Sequence, residues 1–510
     1  MVKKILPRLA ALLILFVVLN QIYTHSIYPY DLKKIDLADS LQQIKDTCSI
    51  IYLGESSNFS FSWNDRDKRR ISDLVADYYP GVSLGTLNKG ALHAGIYLKL
   101  LQQLPADSKV KTIIVTMNLR SFGADWIHSK LESVLQRDIL LLSPGPRLWN
   151  RFRMGLKAYY NPGEYKRKTL LQWHLAEDRL GTDCPYPTAQ AWIDAINAGQ
   201  AYPPPADSAS QSLAATFVRL FAFRIDTSSN PRISDFDQIV ALAQKRGWNL
   251  VFNLLSENVE KARQLTGDAM PNLMMHNRDL LVERYTRLGA VVVDNLTAVD
   301  SSCFIDKNWP TEHYTEPGRK AVARNVALAL RSFYPRDFDD VKERTSFVAN
   351  FEKPAPGFST AHTSARKARS GKHSIALYPG FPYSPAFYLS PEYTNINGPF
   401  TINASAYYSG KAKGNEIKMV ITLQNNLINQ LYSVAYPSGN NSGEWKEISN
   451  EAFLPQGLRK SDLLMAYCWY TGADTVYIDD FKVHITPVDS TGLFNFAHIR
   501  KKSPNQPTKP

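Results

Sequence analysis

The sequence predicts an α/β domain built on a doubly wound parallel sheet, followed by an all-β sandwich. Three observations carry that expectation. Short, near-continuous apolar runs alternate with helical patterns over residues 45–335, as strands buried on both faces of a parallel sheet require. From about residue 348 the helical patterns stop, and period-two alternation with turn residues replaces them, the mark of half-buried antiparallel strands. The chain has 510 residues with 44% apolar and 21% charged. That composition is globular rather than disordered, and the length calls for more than one core.

The strands of the first domain are read as "CSIIYL" (48–53), "VSLGTL" (82–87), "VKTIIVTM" (110–117), "WNLVFNLL" (248–255) and "AVVVDNL" (290–296). Helical patterns fall at 91–104, 235–247 and 278–289, and a last one at 316–333 has Pro317 in its first turn, where proline is tolerated. Between about 120 and 230 the rhythm breaks. Trp and Tyr are frequent there and "YPPPAD" (202–207) marks a loop, so this stretch reads as a mostly helical insertion or lid.

Ahead of these elements, "MVKKILPRLAALLILFVVLNQIY" places Lys3, Lys4 and Arg8 before an unbroken apolar run from Leu9 to Leu19. This is the pattern of a signal anchor, facing the cytoplasm with its charges, or of a cleaved signal peptide over residues 1–26. Either form puts the rest of the chain outside the cytoplasm, membrane-anchored facing the periplasm or cell surface, or secreted. The net charge of +12 owes seven positive residues to the two ends: Lys3, Lys4, Arg8, Arg500, Lys501, Lys502 and Lys509. No basic helix interleaved with aromatics accompanies them, so nucleic acid is not an expected partner. The tail 489–510 reads as basic and disordered. Cys48, Cys184, Cys303 and Cys468 include no C-x-x-C pair, which argues against zinc. Cys48 and Cys303 flank strands whose ends could meet in a disulfide; free thiols are the alternative.

Ligands of doubly wound sheets bind beyond the carboxyl ends of the strands. Four polar spots fall there: Gly54-Glu55-Ser56, Asn88-Lys89-Gly90, Asn118, and "NWPTEHYTEPGR" (308–319). In this order the blocks resemble the SGNH (GDSL-like) hydrolase superfamily, in a divergent form, over roughly 45–335. The resemblance implies a nucleophilic Ser56, an oxyanion hole from the Ser56 and Gly90 N–H groups and the Asn118 amide, and His313 as base. An N-terminal segment before such a domain is also similar to the membrane-anchored envelope-glycan acylation proteins of the superfamily.

The residue types suit acyl transfer. A serine hydroxyl needs a base within hydrogen-bond reach, and the tetrahedral oxyanion needs preorganised donors. No cofactor is called for. The acid of the family's D-x-x-H block is replaced by Pro310. Asp306, seven residues before the histidine, or the adjacent Glu312 are the candidates to orient the imidazole, with Asp306 favoured because neighbouring side chains on extended chain point apart. A Ser-His dyad is the remaining alternative. Ser57 rivals Ser56 by adjacency. Arg120 and Trp126 are candidates for binding substrate, Arg120 also for a structural ion pair, and His93 for a core or rim histidine.

In the second domain, 348–488, strands are read in "HSIALYP", "PFTINASAYYSG", "NEIKMVITLQNN", "LLMAYCWYTG" and "TVYIDDFKVHITP". With "NFEKP" and "SGKHSIAL" they resemble carbohydrate-binding modules with a galactose-binding-like jelly roll. That resemblance implies a glycan partner and a structural Ca²⁺ held by Glu352 and Asp480; capping of turns is the other reading of these acids. Trp445, Trp469, Tyr407, Tyr408 and Tyr470 are candidates to stack on sugar rings. Together these readings point to an extracytoplasmic serine esterase or O-acyltransferase on acyl, chiefly acetyl, esters of glycans. A non-catalytic glycan-binding or envelope-assembly protein with the same fold is the alternative.

Overall fold

The computed structural model describes residues 2–129, 135, 140–143, 145–157, 180–359, 362–426 and 428–488. The predicted tail 489–510 lies outside the described residues, as does part of the 120–230 insertion. Contacts divide the chain into two units, residues 1–63 with 70–337, and residues 64–69 with 338–510.

The first unit is built on five strands, β1 (Ile50–Gly54), β2 (Leu84–Asn88), β3 (Thr112–Met117), β4 (Asn249–Leu254) and β5 (Val291–Asp294). They are all parallel, in the order β2-β1-β3-β4-β5. Every residue of β1 and β3 is buried, which is why their sequences read as apolar runs rather than alternations. Ile51, Leu53, Ile113 and Val115 join one core with the helices Ala94–Leu101, Pro231–Arg246 and Ala269–Arg287. The helix Pro231–Arg246 starts four residues before the expected 235. Asn230 caps it by accepting the Arg232 N–H, Pro231 supplies its first turn, and Gly247 at φ +67° closes it.

The chain crosses from one side of the sheet to the other between β2 and β3, which both flank β1. The crevice at this reversal opens at the carboxyl ends of β1 and β3. Polar groups inside the unit tie the strands together. The buried Asn253 of β4 donates to the Tyr52 hydroxyl of β1 at 3.1 Å, Asn295 donates to Asn253 at 2.8 Å, and Asn325 donates to Asn295 at 2.7 Å. This amide chain fixes β1 against the end of β5 and the helix Glu316–Leu330 that follows.

The insertion is helical where it is described, at Arg147–Lys157, Ala189–Asn197 and Ser208–Phe221. Trp192 and Phe217 are buried in the main core, so this part is an integral layer and not a detached lid. Leu37 and Leu41, from the helix Asp36–Ile44, join the same core, so the unit begins before residue 45. All four cysteines are free, the alternative to a Cys48–Cys303 disulfide.

The second unit is a sandwich of antiparallel sheets. Its strands are β6 (Ser346–Ala349), β7 (Ile375–Leu377), β8 (Phe387–Leu389), β9 (Phe400–Ser409), β10 (Lys411–Ala412), β11 (Ile417–Asn425), β12 (Ile428–Ala435), β13 (Asn441–Ser442), β14 (Lys446–Leu454), β15 (Asp462–Tyr470) and β16 (Val476–Pro487). One sheet runs β12-β11-β15-β8. The other runs β14-β9-β16-β6, with β7 also on β16, and β10 pairs with β13. Residues 64–69 belong to this unit through contacts such as the Arg66 guanidinium 5.4 Å over the Tyr388 ring.

The amide chain across the first sheet gives a stability test. Asn253→Ala removes the donor to Tyr52 and the acceptor of Asn295 inside a dry core, a loss of about 2–4 kcal/mol. Urea unfolding of the variant should show a lowered midpoint with an unchanged slope.

Candidate active site

The glycine ending β1 is required by space. A Cβ at Gly54 would lie 2.9 Å from Asn58 Cβ and 3.0 Å from the Tyr52 ring. The chain then turns into one short helical turn, Ser56–Phe59, whose cap is Glu55. The Glu55 carboxylate accepts the N–H groups of Ser56 at 3.0 Å and Ser57 at 3.2 Å, and the Ser56 hydroxyl at 3.0 Å. Asn58 holds the turn in place. Its Oδ1 accepts the Ser72 N–H at 2.8 Å, while its Nδ2 donates to Asn88 at the end of β2 at 3.1 Å. Ser57 is fully buried, with no hydrogen-bond partner for its hydroxyl. Ser56 is half-buried and keeps a face towards solvent.

The histidine arrives from the other side of the sheet, after β5. Phe304 and Tyr314 pair as an antiparallel bridge, and Ile305 N–H donates to the His313 carbonyl at 2.9 Å. The loop between them folds back on itself, so residues seven apart become neighbours. His313 Nδ1 lies 2.7 Å from Asp306 Oδ2 and Nε2 lies 2.9 Å from Ser56 Oγ. Thr311 also donates its hydroxyl to Asp306. With Nδ1 protonated towards Asp306, Nε2 is the lone pair facing the serine hydroxyl. This is the geometry for taking a proton from an attacking alcohol.

Asn118 ends β3 at the same rim. It is 8% exposed and its side-chain Oδ1 is buried without a hydrogen-bond partner, so that end of its amide is not committed to the fold. Gly90 follows β2 in a turn, and nothing lies within 4 Å of where a Cβ would stand. Packing therefore does not demand a glycine there.

Two candidates are corrected. Glu312 does not reach the imidazole. Its side chain is fully buried and accepts from Arg120 Nη2 at 2.6 Å. Arg120, in turn, is 4% exposed, also donates to the Pro310 carbonyl at 3.2 Å, and is covered by the Trp126 ring at 4.8 Å. Its charge is spent inside the protein, holding the histidine loop, and does not face a substrate. Trp126 is half-buried over that guanidinium. His93 caps the helix Ala94–Leu101 by accepting the Gly95 N–H.

Sequence reading missed a third buried acid here. Glu257, just beyond β4, is buried in the same charged cluster as Glu312 and Arg120. Burial pushes both carboxyls up, Glu257 well above the ordinary range, and Arg120 pulls Glu312 back. The upward shift favours the neutral form of Glu257. No local signal marks it, because its partners are 55 and 137 residues away, differences of the numbers 312, 257 and 120. A cavity of about 460 Å³ adjoins the outer side of Asp306, lined among others by Phe217, Asn258, Lys261, Ser302, Thr311 and Trp309. The Trp309 ring is 51% exposed.

In the second unit Glu352 accepts the N–H groups of Lys372 and His373 and lies 3.0 Å from the His373 ring. Asp480 accepts from Arg369 at 2.5 Å and from the Ser370 hydroxyl. These acids clasp the loop 369–373 and a guanidinium stands at Asp480, an arrangement that does not fit a Ca²⁺ site. Among the described residues no group of three or more His, Cys, Asp or Glu gathers to hold a metal ion. Tyr408 and Tyr470 are buried in the sandwich core and are not available to a sugar. Tyr407 lies under Arg369 at 3.5 Å, Lys367 stands 5.9 Å over Trp445, and Trp469 is flanked by Lys418 and Tyr383.

No family model and no curated protein matches the sequence. Among solved structures, the chain is similar to a mutant of Axe2, an acetyl-xylooligosaccharide esterase from Geobacillus Stearmophilus. Identity is 8% and the TM-score 0.28, over 56% of this chain and 96% of that one. It is also similar to the CBM22-1 xylan-binding domain of Paenibacillus barcinonensis Xyn10C, with 17% identity and a TM-score of 0.22 over 29% of this chain and 99% of that one. A family 22 carbohydrate-binding module of Clostridium thermocellum Xyn10B gives 14% and 0.22, over 30% and 99%. At scores this low the likenesses add nothing to what the site's own geometry says.

The buried acid pair makes stability depend on pH with a definite sign. An unfolded glutamate ionises near its ordinary pKa, whereas native Glu257 keeps its proton to higher pH. Above the ordinary value the unfolded state therefore binds fewer protons, and stability falls as pH rises. Glu257→Gln keeps a neutral polar side chain beside Glu312 and removes this penalty. Thermal melts should show its advantage over wild type growing from pH 5 to pH 8, by at most about 1.4 kcal/mol per pH unit.

Proposed function

We propose that the first unit is an extracytoplasmic serine esterase or O-acyltransferase acting on acyl, chiefly acetyl, esters of glycans. The observation that carries the reading is the unbroken line Asp306–His313–Ser56, at 2.7 and 2.9 Å, drawn from two distant pieces of chain to one rim of the sheet. Ser56 Oγ attacks the ester carbonyl carbon as its proton passes to His313 Nε2, and Asp306 stabilises the imidazolium that forms. In this reading the Asn118 amide, the Gly90 N–H and the Ser56 N–H, once released by Glu55, are the donors to the developing oxyanion. His313 then returns the proton to the departing sugar oxygen, leaving an acyl-serine. Water resolves that intermediate in an esterase, and a second hydroxyl in a transferase. The chain thus performs the whole cycle with its own side chains and amides.

The glycan as substrate rests on the resemblance of the second unit to carbohydrate-binding modules, which would raise the local concentration of polymer at the nucleophile. The apolar N-terminal helix supports placing the reaction at a membrane.

One observation favours the second reading, a non-catalytic glycan binder. Glu55 holds both the Ser56 hydroxyl and its N–H, so a carboxylate stands where the oxyanion hole needs a free donor. In the catalytic reading the Ser56 hydroxyl turns its proton from Glu55 to His313 Nε2, and the ester oxygen takes over the Ser56 N–H.

Hydrolysis of 4-nitrophenyl acetate separates the two. Ser56→Ala and His313→Ala are expected to lower kcat at least about 1000-fold, and Asn118→Ala about 100- to 1000-fold. Circular dichroism should show the fold intact. Equal rates for wild type and Ser56→Ala would leave the binder.

A further inference from the structure

The helix Arg147–Lys157 lies outside the proposed chemistry and shows two unlike faces. Its inner face is fixed to the stem of the N-terminal helix. The Leu148 N–H donates to Asn20 Oδ1 at 3.0 Å, Arg151 Nε donates to Asp31 at 3.1 Å, and the Arg147 guanidinium stacks 4.8 Å over the Tyr28 ring. Leu148 and Met154 pack on the small core of Tyr23, Tyr28 and Leu141, and the buried Asn150 donates to the Ser143 carbonyl at 2.6 Å. Tyr28 adds a hydrogen bond to the Leu141 carbonyl at 3.1 Å.

Among the described residues its outer face has no such partners. Trp149, Phe152 and Leu156, spaced three and four apart, share one side of the helix and are 48%, 53% and 55% exposed. The Trp149 and Phe152 rings stack with centroids 5.4 Å apart, a preformed slab rather than scattered apolar residues. A contiguous aromatic and aliphatic face of this kind on a soluble surface marks an interaction site.

We infer that this face lies in the membrane interface, beside the point where the N-terminal helix leaves the bilayer. Three features select lipid over other occupants. The helix is joined at Leu148 to Asn20 of the N-terminal helix, whose Leu12, Leu13, Ile14 and Leu15 are more than half exposed and which is long and apolar enough to cross a membrane. Arg147 and Arg151 are engaged on the inner face, Arg153 stays exposed, and the helix has no acid, a balance that suits anionic headgroups. Tryptophan beside arginine is also the pairing that bilayer interfaces favour, with an apolar ring body and a polar edge at headgroup depth. The consequence is mechanical. A single spanning helix alone leaves its domain free to swing, whereas a second contact through residues 147–156 fixes the tilt of the first unit relative to the membrane plane.

The test uses the full chain reconstituted into phosphatidylcholine–phosphatidylglycerol vesicles, with and without dibrominated acyl chains, which quench tryptophan on contact. Subtracting the emission of Trp149→Phe from that of wild type isolates Trp149. The expected result is a blue-shifted difference spectrum that loses most of its intensity in brominated vesicles, with flotation and circular dichroism unchanged by the substitution. Protein that floats with the vesicles but gives an unquenched difference spectrum overturns the docking while leaving the anchor. Failure to float overturns both. A blue-shifted, unquenched spectrum from a protein that is dimeric in detergent assigns the face to a second copy of the chain, and also overturns the inference.

Discussion

Everything at the candidate site depends on the imidazole of His313 being held from behind. Asp306 supplies that hold at 2.7 Å, and it can do so only because the loop from Phe304 to Tyr314 doubles back on itself. An imidazole free to rotate would present either nitrogen, in either tautomer, to the serine. Fixed by Asp306, it offers one lone pair in one direction. The parallel sheet brings the rest: Ser56 lies two residues past the end of β1 and Asn118 directly follows β3, strands that are neighbours at the reversal of strand order, where the crevice of such a sheet opens.

Beneath the histidine loop lies a second, buried layer of charge. Arg120, Glu312 and Glu257 sit in a dry environment, where an ion pair is stable only if its geometry is good and its neighbours are satisfied. Burial pulls the pKa of the Arg120 guanidinium down, and its acidic neighbours, Glu312 first, more than offset it. Neutralising Glu257 by burial resolves the imbalance, leaving Arg120 to bind Glu312 and the Pro310 carbonyl together. The two residues on either side of Thr311 are thereby pinned. The pair is a strut for the loop that carries the base, which is the physical reason Arg120 is not free to meet a substrate.

What the sequence made legible follows from how local each signal is. The strands of the first sheet were readable because burial on both faces leaves unbroken apolar runs. Gly54 and Ser56, and Asn118, were readable because they end two of those runs. The seven-residue spacing from Asp306 to His313 could be favoured over the adjacent Glu312 by strand geometry alone. The fold-back that makes it a contact could not be read, since it depends on pairing Phe304 with Tyr314. Glu257 and Asn58 were illegible because their roles exist only between distant segments. In the sandwich, β12 escaped because its residues are mostly exposed or half-exposed along its length, as edge strands are. Asp480 misled because an acid next to a bulge looks alike whether it holds a cation or, as here, Arg369.

Covalent labelling tests whether Ser56 is an activated nucleophile. A fluorophosphonate reacts with a serine only when a neighbouring base removes its proton. Peptide mass spectrometry after labelling at neutral pH should find the phosphonyl adduct on Ser56, and no adduct in His313→Ala. A folded protein whose Ser56 stays unmodified, or is modified equally without His313, would contradict it.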